Sequence, residues 1–96
     1  MIKHVVFMKF KASVTDKDID EMENAMARLP GRIQEIKEYQ FGRDVVRSER
    51  SCDFALVSAF ENLDALKRYQ SHPDHLPVLA KVKEMCETIL AVDFKV

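Results

Sequence analysis

The chain opens on Ile2 to Lys11, a β-branched and aromatic run that predicts a strand. Thr15 or Asp16 then caps a helix whose apolar positions, Ile19, Met22, Met26 and Leu29, step by three and four along one face. Pro30-Gly31 stops it. A second strand is expected over 36–45, with Tyr39, Phe41 and Arg43 on one side and Gln40, Gly42 and Asp44 on the other. The polar stretch Arg47 to Ser51 makes the turn into a third strand, 53–60. Asn62 is placed to cap a short helix through Tyr69, and His72-Pro73 interrupts it because the residue before proline avoids the helical region. A further helix, beginning at Pro73 or Pro77, is expected to bury Leu79, Val82, Cys86 and Ile89, with Met85 at its edge. Leu90 to Val96 closes the chain as a fourth strand.

The order β-α-β-β-α-β, with the second helix split, predicts an α+β ferredoxin-like fold: a four-stranded antiparallel sheet with helices on one face. No linker divides the 96 residues, so one domain is expected over 1–96. The strands add a complication. In the first, Ile2, Val6, Met8 and Phe10 share one face while Val5 and Phe7 fall on the other; in the third, Phe54, Leu56 and Phe60 oppose Ala55, Val57 and Ala59. A sheet with helices on one side and water on the other alternates apolar with polar. These strands are apolar on both faces, and the chain has no spare element to cover the second. A second copy packed sheet to sheet would cover it.

Charge and cysteine content narrow the functional classes. Fifteen basic against sixteen acidic residues, net −1, supply no overall drive toward nucleic acid or an anionic membrane. No run approaches the length of a membrane span, and the first residues lack the features of a signal peptide. Cys52 and Cys86 form no metal spacing and no redox pair. Two free thiols in a cytoplasmic protein are the expectation.

Several segments resemble the stress-responsive dimeric α/β-barrel (Dabb) domain family. They are His4-Val5-Val6-Phe7-Met8-Lys9-Phe10, Phe60 to Tyr69, His72-Pro73-Asp74-His75 and the closing Val92-Asp93-Phe94. The Tyr-x-x-His-Pro-x-His segment is the most specific part. The resemblance implies a homodimer in which two sheets curl into a common barrel, binding a small apolar or aromatic molecule. One branch of the family is a cofactor-free polyketide cyclase, whose Tyr and second His of that segment, with a His on the first strand, match Tyr69, His75 and His4 here. The cyclase's further pocket His falls near Phe54, where this chain has none.

Such a reaction needs a base to take a proton alpha to a carbonyl and a donor to hold the enolate oxygen. His75 suits the first role and Tyr69 the second, with His4 and His72 as substrate contacts; no cofactor or metal is called for. A structural role answers each of these residues as well. His72 and His75 flank a proline at a helix break, Tyr69 fits a core aromatic, and His4 fits a satisfied strand residue. His72-x-x-His75 with His4 or Asp74 would also suit zinc, though no Cys or Glu completes a recognised spacing. A quinol monooxygenase of the same dimeric fold is a further reading, and the His-Pro-Asp-His segment fits it less well. Whether the chain is an enzyme or a binding protein stays open at the level of sequence. A cavity between sheet and helices ending at Tyr69 and His75 would favour either over a solid core.

Overall fold

A computed structural model describes all 96 residues. The elements are β1 (Ile2–Phe10), α1 (Asp16–Ala27), a 3₁₀ turn (Leu29–Gly31), β2 (Glu38–Arg43), β3 (Phe54–Phe60), α2 (Leu63–Gln70), α3 (Leu76–Met85) and β4 (Cys86–Lys95). The four strands form one antiparallel sheet in the order β2-β3-β1-β4, the ferredoxin-like arrangement.

Local sequence accounts for the helix ends. The Thr15 side chain accepts from the Asp18 amide while the Asp18 carboxylate accepts from the Thr15 amide, a reciprocal cap on α1. Asn62 caps α2 through the Ala65 amide. Pro77 sits in the first turn of α3, where its missing N–H leaves nothing unsatisfied.

The last third of the chain departs from the helical reading. α3 ends at Met85 and buries Val78, Val82 and Met85; Cys86 is already the first residue of β4, and Ile89 belongs to that strand. The steps from Val82 to Cys86 to Ile89 fit a helical stripe. The residues from Cys86 onward pair instead with β1, from Phe10 opposite Cys86 to Ile2 opposite Lys95, across an irregularity at Lys9/Phe10. A long-range ladder of this kind overrides a weak local period. Likewise β2 is shorter than its apolar run: Val45 and Val46 lie in the following turn, 91% and 73% exposed.

The core fills the space between the sheet and the three helices, with Met22, Ile33, Phe60 and Tyr69 at or near zero exposure. The opposite face of the sheet is bare. Register brings Phe94, Val92 and Leu90 alongside Lys3, Val5 and Phe7, and these alongside Ala59, Val57 and Ala55. Phe7, Leu90, Val92 and Phe94 are between 40% and 56% exposed there.

The two thiols differ in the same way. Cys86 is buried and burial pushes its thiol up; Cys52 is partly exposed in the loop before β3. A thiolate-selective reagent on native protein is therefore expected to modify Cys52 first, and mass spectrometry showing equal rates would contradict this placement.

Candidate functional site

A cavity of about 240 Å³ opens between the sheet and the helices, lined by 14 residues of which 11 are hydrophobic. Val6 and Met8 of β1, Leu56 of β3 and Val82 of α3 form part of its walls. Its polar end gathers His4, Tyr39, Tyr69 and His75. Four different elements supply these four rings, and Gln70, next to Tyr69 on α2, is the other polar residue of the lining. His4 lies on β1, Tyr39 on β2, Tyr69 in the last turn of α2, and His75 at the cap of α3.

The helix break delivers the last two. Tyr69 precedes the end of α2 by one residue, and the turn closes through His75 N–H to His72 O (2.9 Å) and Leu76 N–H to His72 O (3.2 Å). This returns the His75 ring to within 4.2 Å of the Tyr69 ring, centre to centre. Nδ1 of His75 stands 3.2 Å from the Gln70 carbonyl, which can only accept, so Nδ1 carries the hydrogen. The lone pair of the neutral ring is then on Nε2.

Burial holds the His75 pKa below the ordinary imidazole value, with the nearby His4 and His72 acting in the same sense and the Gln70 bond opposing them. The imidazole is the neutral, basic form at neutral pH. A histidine whose folded pKa is depressed binds fewer protons in the native state than in the unfolded chain. Its contribution to stability is complete above the unfolded value near 6.5 and is lost as pH falls through the folded value. Thermal melts are expected to show the melting temperature declining as pH drops below about 6.5, and the decline to flatten in His75→Gln. An unchanged profile in that variant would assign the acid sensitivity elsewhere.

Tyr69 is 1% exposed, and its hydroxyl lies 3.2 Å from that of Tyr39. Desolvation, reinforced by Tyr39, pushes the Tyr69 phenol far above its usual pKa, so it is a donor and not a base. Tyr39 is raised by burial too. His4, 8% exposed, donates Nδ1–H to the Asp93 carboxylate directly across the β1–β4 ladder and meets the Tyr69 ring edge-on at 6.4 Å.

Of the four residues singled out from sequence, His4, Tyr69 and His75 thus converge on one cavity. His72 does not line it: its Nδ1 accepts the Asp74 N–H at 3.1 Å, a turn-forming contact set by the proline between them. The contact with substrate expected of His72 is therefore not made at this cavity. Tyr39 and Asp93 were missed. Tyr39 shares a strand face with Phe41 and gave no chemical signal of its own. Asp93 lay within the expected fourth strand, but only the register of β4 against β1 sets it opposite His4.

The family model for the stress responsive A/B barrel domain matches residues 2–96. The chain belongs to that family. It is 27% identical over 96 residues to the stress-response A/B barrel domain-containing protein HS1 of Arabidopsis thaliana, covering 98% of this chain and 88% of that one. It is 23% identical to the olivetolic acid cyclase of Cannabis sativa, over 97% of this chain and 94% of the cyclase. Among solved structures, a dimeric ferredoxin-like protein of unknown function from Thermobifida fusca superposes with a TM-score of 0.91 at 33% identity, covering 99% and 90% of the two chains. The A/B barrel assignment rests on nearly the full length of this chain, so the cavity described above lies inside the shared domain. No helix is long and apolar enough to cross a membrane.

Proposed function

We propose that this chain is a homodimeric A/B barrel protein that binds a small apolar or aromatic molecule in the cavity closed by Tyr69 and His75. The observation behind this reading is the cavity itself: apolar walls that converge on four histidine and tyrosine rings drawn from four elements. A chain selected only for packing would fill such a space, since each methyl-sized void costs about 1 kcal/mol. The dimer is supported by the apolar outer sheet face and by the description of the Thermobifida fusca protein as dimeric. The two free thiols suit a reducing cytoplasm, and the kinship with HS1 suits a role in stress response.

A second reading is an acid–base enzyme of cyclase type, favoured by the geometry at His75. A neutral imidazole with Nε2 unprotonated and a buried phenol beside it are the base and the oxyanion donor such chemistry requires. The kinship with olivetolic acid cyclase accords with it. His75→Ala would then abolish turnover, and Tyr69→Phe would lower it about 10- to 1000-fold.

Titration of ¹⁵N-labelled protein with acetophenone tests the binding reading. Saturable shifts are expected at Tyr69, His75 and Val78, and Ala91→Trp, placed at the cavity wall on β4, is expected to remove them. Shifts confined to the outer face around Val57 and Val92 would refute it.

A further inference from the structure

The bare face of the sheet is graded in size. Register sets Gly42 on β2 level with Ala55 on β3, Phe7 on β1 and Leu90 on β4, so this row runs from no side chain to large ones. The row beside it runs Gln40, Val57, Val5 and Val92. The third runs Glu38, Ala59, Lys3 and Phe94, and there Lys3 and Glu38 pair across Ala59. The β1–β4 half therefore stands high, and the β2–β3 half is hollowed at Gly42 and Ala55.

Gly42 is the position that its own chain does not explain. Glycine inside a strand is unfavourable, because it packs nothing and loses the most backbone freedom. Its φ is not positive, and a Cβ placed there would meet nothing within 4 Å. Neither backbone conformation nor crowding within the chain calls for a glycine. A strand glycine of this kind marks a place where another group approaches the backbone closely.

Symmetry limits what that group can be. Two copies packed face to face are related by a two-fold axis lying between the sheets, either along the strands or across them. An axis across the strands sets β4 on β4. Leu90 then meets the partner's Phe94, Phe7 meets the partner's Lys3, and the hollow at Gly42 faces the partner's Glu38. An axis along the strands sets β4 on β2 and β1 on β3, with each row level with itself. The partner's Leu90 then lies over Gly42 and the partner's Phe7 over Ala55, large against small. Close packing favours this second arrangement, because it fills the hollow.

We infer that Gly42, with Ala55 beside it, is a seat for the Leu90 side chain of a second copy, and that this seat fixes the two-fold axis along the strands. This rests on the homodimer reading above and adds which strands face each other. Plug and seat lie on one chain, so the interface carries the contact at two symmetric places. A related chain whose seat is filled by a side chain is thereby disfavoured as a partner.

Sedimentation equilibrium of Gly42→Leu, Leu90→Ala and the two combined tests this. Gly42→Leu is expected to raise the dimer Kd at least about tenfold, because the overpacked contact occurs at both places. Its circular dichroism spectrum should not change, since the new side chain starts in open space on its own chain. Leu90→Ala clears the position above the seat. The double variant is therefore expected to recover a large part of the affinity that Gly42→Leu loses, the non-additivity of groups in contact. The wild-type protein gives a second measurement that no variant's folding affects. Within one chain Gly42 and Leu90 lie on opposite edge strands, three strand spacings or about 14 Å apart. In a dimer mixed from labelled and unlabelled chains, isotope-filtered NOEs are expected between the Leu90 methyls and the Gly42 Hα protons. Three results would each overturn the inference and leave the homodimer reading in place: Gly42→Leu dimerising as tightly as wild type, a double variant no tighter than Gly42→Leu, or a wild-type dimer without these NOEs. A wild-type protein that stays monomeric would remove both.

Discussion

Val57→Asp is expected to convert a stable dimer into monomer, with part of the protein aggregating. Val57 stands in the middle of the bare sheet face, opposite Val5 on β1, and Val5 is in turn opposite Val92 on β4. If two such faces meet across a two-fold axis, a carboxylate introduced at Val57 enters the interface twice. Isolated burial of even a neutral polar group costs about 2–7 kcal/mol, and an unpaired charge costs more. That is comparable with the whole free energy of a micromolar dimer, about 8 kcal/mol. The released monomer would expose Phe7, Leu90, Val92 and Phe94 with nothing over them, hence the expected aggregation. Sedimentation velocity at micromolar concentration reads the result. A wild-type protein that sediments as a monomer, or a Val57→Asp protein that remains a dimer, would show that this face is not the interface.

Phe60→Ala is expected to cost about 3–5 kcal/mol of stability, the usual range for removing a buried phenyl ring. Phe60 has no exposed surface, packs 4.8 Å from the Tyr69 ring and meets His4 edge-on at 6.4 Å. Its loss would open a void directly behind the polar end of the cavity. Against a total stability of about 5–15 kcal/mol for a single domain, a loss of that size leaves a marginal fold. Tyr69→Phe provides the comparison. It keeps the ring and removes one hydroxyl bond, for an expected cost of about 1 kcal/mol. Denaturant melts of the two variants should therefore differ by at least about 2 kcal/mol. Equal losses would mean that the Tyr39–Tyr69 hydroxyl pair, rather than ring packing, holds this end of the core.

Much of the molecule is legible in the residues alone. The β-branched run of β1, the Thr15 and Asn62 caps, and the proline-marked break between α2 and α3 are written in residues whose preferences act over three or four positions. Apolar residues on both faces of β1 and β3 likewise marked the second apolar sheet face, which no helix covers. The convergence of His4, Tyr69 and His75 was also within reach, because strand phase put His4 on the helix-covered face and the helix break brought His75 back beside Tyr69.

Other features depended on partners distant in the chain. The Cys86–Ile89 segment suits a helix by spacing, and only the ladder to β1 made it strand; with that ladder came the His4–Asp93 contact, 89 residues apart. Tyr39 acquired its place at the site from a hydroxyl on α2, 30 residues away, and His72 lost its expected place because its ring nitrogen was taken by a neighbouring amide. The cavity is the clearest case. Whether side chains of a given size meet or leave a gap depends on how the helices sit over the sheet. Residue order determines which faces are apolar, but the three-dimensional packing of those faces decides whether the space between them is filled.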